Sequence, residues 1–155
     1  MNEIKTIMVA LAFSEHAKGI FNYAAKLAVS LNADLLVVSI INSRDVEAVE
    51  SISAMGYDVD GEHYVRNIRN ERNQILEQIV EESAFPKERI RTLITVGNPV
   101  DELLNIAVKE HADMIVMGTK GRTNLSYILI GSVAERIFQK SPVPVLSYRD
   151  ETHSD

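Results

Sequence analysis

The chain alternates short apolar runs with longer amphipathic stretches. Residues 4–12 (IKTIMVALA) form a nearly continuous apolar run, the pattern of a strand buried on both faces. Ser14 then offers an N-cap, and Ile20, Ala24, Leu27, Ala28 and Leu31 recur at helical spacing. Asn32-Ala33-Asp34 breaks this helix. LLVVSII, residues 35–41, follows as a second strand, rich in β-branched residues and too short for a helix of that apolarity. Residues 42–64 are the least regular. They hold Gly56, Gly61 and a run of acidic residues, with a helical turn or two expected across 46–55.

From Val65 onward, Ile68, Arg72, Ile75, Leu76, Ile79 and Val80 mark one face of a helix that ends near Ser83, and charged or amide side chains fill its other faces. Phe85-Pro86 stops it. Residues 90–96 alternate, with Ile90, Thr92, Ile94 and Val96 on one side, and predict a strand exposed on one face at a sheet edge. Asn98 as N-cap with Pro99 at the first helical position then starts a helix ending near His111, with Val100, Leu103, Leu104 and Ala107 inward. MIVMG (114–118) predicts a fourth buried strand, residues 132–140 a last helix and residues 143–148 a last strand.

Strict alternation of strand and helix predicts an α/β fold: an open five-stranded parallel sheet with right-handed crossovers and helices on both faces. No composition shift, linker or repeat divides the chain, so residues 1–150 are expected to form a single domain, with 151–155 a polar tail. Ligands of such sheets bind outside the carboxyl ends of the strands, at the switch point. Two strand ends carry unusual loops: the first, from Ala10 to Ser14, and the fourth, from Gly118 onward.

Bulk properties narrow the function. The 155 residues carry a formal net charge of -6 and no basic stripe, which argues against a nucleic-acid partner. No cysteine is present, so thiolate chemistry is excluded. The N-terminus lacks a basic n-region and a long h-region, and no apolar run reaches the ~18 residues of a membrane span. A cytoplasmic protein without membrane attachment is expected.

The fourth strand leads into MGTKGRTNLSYILIGSVAER. Gly118 and Gly121 let backbone N–H groups approach a ligand without Cβ interference, and successive N–H groups in such a turn make a concavity for anions. Gly131-Ser132 sits at a helix start, where free N–H groups and the helix dipole favour phosphate. Lys120 and Arg122 add positive charge. A plainer reading stands beside this one: Ser132-Val133-Ala134-Glu135 fits a capping box, Gly118 ends a strand, and the cations are solvated. Neither G-x-G-x-x-G nor a P-loop signature occurs.

The spacing Gly118-x2-Gly121-x9-Gly131-Ser132 resembles the nucleotide-binding signature of the universal stress protein family, in its ATP-binding branch. VALAFSEHAKGIFNYAAKLA, VGNPVDELLNIAVKEHADMIVMG and SPVPVLSY resemble other parts of the same family, so the similarity spans nearly the whole chain. The resemblance implies strand order 3-2-1-4-5, and dimerisation through the last strand, residues 143–148, by an edge of Val143, Val145 and Leu146. It implies a regulatory binder of an adenine nucleotide, ATP foremost with ADP or AMP as alternatives, and Mg²⁺ only as held through the phosphates. Ala10 and Leu11 would border adenine and ribose, Ile40 would offer backbone groups to the adenine edge, and Met117 would pack near the nucleoside. Gly118, Gly121 and Arg122 would wrap the phosphates. Gly131, Ser132 and Val133 would donate to the terminal ones.

One position departs from the family pattern: Ala12 stands where the family usually has an Asp near the sugar. Losing a hydrogen bond to a charged acceptor weakens binding by ~1.5–3 kcal/mol, roughly tenfold to a hundredfold. Two alternatives therefore stand beside ATP: a nucleotide-independent dimeric interaction module with a degraded pocket, and a binder of AMP or a cyclic nucleotide. No catalytic residue and no metal site is expected. The four histidines lack ligand spacing, Asp101 and Glu102 suit the first turn of a helix, and Ser14 has no base beside it in sequence.

Overall fold

The apolar runs become five parallel strands: β1 (Thr6–Ala10), β2 (Asp34–Asn42), β3 (Ile90–Gly97), β4 (Met114–Gly118) and β5 (Val145–Tyr148). They lie in the order β3-β2-β1-β4-β5. The helices are α1 (Ala17–Leu31), α2 (Ser43–Ala54), α3 (Gly61–Ser83), α4 (Pro99–Lys109) and α5 (Ser132–Lys140). The structure, a computed structural model, describes residues 3–119 and 132–149.

Period-two alternation inside each apolar run feeds two cores. Ile7, Val9, Leu35, Val37 and Val116 face one side and pack with Phe21, Ala24 and Ala28 of α1 and Leu76 and Ile79 of α3. Met8, Leu36, Val38, Ile115 and Met117 face the other and pack with Val100, Leu103 and Ala107 of α4 and Ala134 and Ile137 of α5. The sheet is thus covered on both faces. On the α1/α3 side, exposed Lys18 and Glu82 meet at 2.7 Å. The hydrogen bond from Lys18 holds the Glu82 carboxyl below its usual pKa, aided by a bond from Gln78.

Several boundaries differ from the sequence reading, each for a local reason. The helical turn or two expected across 46–55 is a full 12-residue helix, α2, which starts earlier because Asn42 caps it, its Oδ1 accepting the Arg44 N–H at 3.0 Å. None of its residues is buried, so no apolar stripe announces it. Helix α3 starts at Gly61, earlier than the apolar face suggests, because Asp60 caps it by accepting the Glu62 N–H. Ser14 is not the N-cap of α1. Its Oγ accepts the His16 N–H at 3.2 Å and its carbonyl accepts that of Ala17, so the cap position moves to His16. Strand β5 begins only after Pro144, which has no N–H for the ladder. The alternation expected in β3 is not clean: Arg91, Thr92 and Leu93 are all exposed at the sheet edge. Asn98 caps α4 as expected, accepting the Asp101 N–H at 3.1 Å ahead of Pro99.

Helix α3 ends in a left-handed residue, Ala84 at φ 61°. That conformation costs an L-residue ~1–2 kcal/mol, whereas glycine tolerates it but adds ~0.4–1 kcal/mol of unfolded-state entropy. Ala84→Gly is therefore expected to stabilise the protein by about 0.5–1 kcal/mol in urea denaturation. A loss of stability would show that the turn is not strained.

Candidate functional site

The chain winds from β1 to β2 and β3 in one direction and then crosses back to β4 and β5 in the other. At this reversal the crossover connections diverge and leave a crevice at the carboxyl ends of β1 and β4. A cleft of about 350 Å³ lies there. Its floor is built from Ala10, Leu11 and Ala12 after β1, Val38 and Ile40 of β2, and Met117, Gly118 and Thr119 at the end of β4. Pro99 and Leu103 of α4 and Ser132, Val133 and Ala134 of α5 supply one wall.

Eight positions named from the sequence therefore line one cleft: Ala10, Leu11, Ala12, Ile40, Met117, Gly118, Ser132 and Val133. Gly121, Arg122 and Gly131 lie outside the described residues. The lining includes the first turn of α5, whose leading N–H groups have no acceptor within the helix and carry the positive end of its dipole. Leu11 extends the ladder beyond β1 by donating its N–H to the Val38 carbonyl at 3.0 Å, which sets the loop that follows.

That loop turns sharply. Phe13 has φ 56°, an uncommon conformation for a bulky residue, while Ala12 on its near side is exposed. The Phe13 ring meets the guanidinium of Arg72, whose Cζ stands 5.8 Å from the ring centroid. Arg72 is the main lining residue that the sequence reading did not assign to the site. It comes from the inward stripe of α3 and is only 5% exposed. Its Nη1 donates to Ser39 Oγ at 2.7 Å and to the Ile40 carbonyl at 3.2 Å, so its head is anchored at the end of β2. The available signal was a single cation among apolar residues at helical spacing. Asn42 and Thr119 also line the cleft without having been singled out for it.

Among the described residues, Arg72 is the one lining side chain that is charged at neutral pH. A second cavity of about 420 Å³ adjoins, lined by Phe13, Glu15, Ile68, Glu71 and Ile75 together with Ala12, Ser14 and Arg72, which line both. Among the described residues no group of three or more His, Cys, Asp or Glu side chains is arranged to hold a metal ion. No described helix is long and apolar enough to cross a membrane.

The sequence profile of the Universal stress protein family matches residues 3–149. Universal stress protein YxiE of Bacillus subtilis is 31% identical over 147 residues, covering 92% of this chain and 97% of its own. Universal stress protein MJ0577 of Methanocaldococcus jannaschii is 29% identical over 150 residues, 92% of this chain and 93% of its own. The solved structure of MJ0577 superposes with a TM-score of 0.77 at 27% identity, over 97% of this chain and 99% of its own. A universal stress protein solved in complex with cAMP shares the fold at a TM-score of 0.65 and 22% identity, over 96% of this chain and 98% of its own.

The buried bond between Arg72 and Ser39 gives a direct test of the wall. Ser39→Ala is expected to cost ~1.5–3 kcal/mol in urea denaturation, the usual worth of a hydrogen bond to a charged group. An unchanged midpoint would show that Ser39 does not anchor Arg72.

Proposed function

This chain belongs to the universal stress protein family, and from that premise we propose that its cleft binds an adenine nucleotide, ATP foremost, as a cytoplasmic sensor or regulator rather than a catalyst. The observation that carries this reading is the convergence of strand ends and a helix N-terminus on one cleft at the switch point. The volume, about 350 Å³, lies within the ~300–1,000 Å³ typical of small-molecule sites.

The two ends of the cleft suit different parts of a nucleotide. Gly118 and Thr119 with the first turn of α5 form the phosphate end, where Gly121, Arg122 and Gly131 are the further candidates from sequence. Ser132 and Val133 donate there to the terminal phosphates, and Mg²⁺ enters only with them. Ala10 and Leu11 border the ribose, Ile40 meets the base, and Met117 packs against the nucleoside. The cAMP complex of a fold relative supports an adenine nucleotide in this fold and favours a cyclic nucleotide as the alternative occupant. The methyl group of Ala12 favours the other alternative, a dimeric module that works without nucleotide. Dimerisation itself is proposed through residues 143–148, since β5 is the outermost strand next to β4.

Nucleotide released from the purified protein is expected to be identified by mass spectrometry as an adenine nucleotide, and calorimetry to give saturable binding of ATP, ADP or AMP tighter than about 1 mM. Gly131→Val should weaken that binding about tenfold or more by placing a side chain in the phosphate loop, with the circular dichroism unchanged. No released nucleotide and no binding of any of the three would refute the reading. Unaltered affinity in Gly131→Val would refute the phosphate end alone. Sedimentation velocity on the same sample should give twice the 17.3 kDa chain mass, and a monomer would refute the β5 interface.

A further inference from the structure

Along a strand, the backbone groups of alternate residues point to alternate edges. The Val38 carbonyl accepts the Leu11 N–H at 3.0 Å, so it points to the β1 side of β2. Ile40, two residues on, turns its carbonyl to the same side, past the point where β1 has ended. That carbonyl therefore meets the cleft instead of a neighbouring strand. Side chains alternate between the faces of the sheet in the same way: Val37 packs toward α1 and α3, and Val38 and Ile40 toward α4 and α5. Ser39 accordingly faces α3, where its Oγ accepts from Arg72 Nη1 at 2.7 Å. The same nitrogen donates to the Ile40 carbonyl at 3.2 Å. Arg72 thus reaches this carbonyl from the α3 face and leaves its second lone pair for the cleft. The guanidinium also meets the Phe13 ring, so one side chain joins the end of β2 to the loop after β1.

We infer that Arg72 is a positioning residue: it fixes the Ile40 carbonyl as the acceptor that reads the base, and so selects a base with an amino group on that edge over one with an oxo group there. The inference rests on the nucleotide reading of the cleft, in which the base lies at Ile40, and adds what sets the choice of base. A carbonyl accepts and cannot donate. The 6-amino group of adenine donates to it, whereas a 6-oxo purine brings two acceptors face to face and leaves both unsatisfied. Such discrimination needs an acceptor held in place by its own supporting contacts. A peptide group beyond the end of its neighbouring strand lacks the ladder bond that would hold it. Here the two bonds from a buried arginine nitrogen supply that support. The role uses only donors already engaged with Ser39 and Ile40, and it requires no contact between Arg72 and the ligand.

ATP and inosine triphosphate test this on the full chain by calorimetry. Their sugars and phosphates are identical, and their rings differ only in the 6 substituent and the proton on the adjacent nitrogen. The ratio of the two affinities therefore reports the base edge alone. The wild type is expected to bind ATP about tenfold or more tighter than inosine triphosphate. Arg72→Met should bring the ratio to within about twofold of one, chiefly by weakening ATP. Arg72→Lys, whose ammonium can still donate to both Ser39 and Ile40, should keep most of the preference. If circular dichroism shows Arg72→Met to be unfolded, Ser39→Ala decides, and should lower the ratio about threefold by removing the shorter of the two bonds. Equal affinities in the wild type, or a preference for inosine triphosphate, overturn the proposal and leave the nucleotide reading standing. So do a ratio unchanged in the deciding variant, both nucleotides being weakened alike or not at all, and a ratio in Arg72→Lys no higher than in Arg72→Met. Failure of the wild type to bind either nucleotide overturns that reading and the proposal together.

Discussion

Strand β1 must be satisfied on all four sides. Its two edges pair with β2 and β4, and its two faces carry Ile7 and Val9 toward α1 and Met8 toward α4 and α5. Those three side chains are fully buried. The only direction left open is the strand's carboxyl end, where the backbone emerges between two crossover connections that run in opposite senses. The cleft exists because β1 is central. The floor residues Ala10, Leu11 and Ala12 are simply the first ones beyond its ladder.

Arg72 stands apart from this apolar logic. Burying a charged group costs several kcal/mol after relaxation. Against that stand hydrogen bonds of ~1.5–3 kcal/mol each to a charged donor and a cation–π contact of ~0.5–2 kcal/mol. The terms are of similar size, and an apolar side chain of like volume often serves the fold equally well. Arg72 stands in the wall of the cleft, with a polar anchor of Ser39 and the Ile40 carbonyl.

The same contrast explains what could be read from the chain alone. The strands were legible because burial on both faces leaves continuous apolar runs, so that MIVMG marks β4 from end to end. Helix α4 was legible through Asn98-Pro99, a local signal independent of packing. Helix α2 was legible only as a turn or two, since it buries no residue and its start depends on one side-chain cap from Asn42. For the site, the two loops after β1 and β4 followed from topology, and the individual residues, Ala10, Leu11, Ile40 and Met117 among them, were implied by the family resemblance. Arg72 did not, because nothing local ties a residue in the middle of α3 to the ends of β1 and β2. Only the packing of α3 on the sheet brings it there. The carboxylate missing at Ala12 was visible at once. That Arg72 shares the cleft wall with Ala12 became visible only in three dimensions.

The nucleotide reading and the geometry of the cleft meet most directly in the amide resonances of nitrogen-15-labelled protein titrated with ATP. The largest saturable shifts are expected at Ile40, Gly118, Val133 and Ala134, with Arg91, Thr92 and Leu93 at the β3 edge unmoved. Shifts centred on the β3 edge or on α2, or no saturable shift at all, would contradict a nucleotide site at the end of β1.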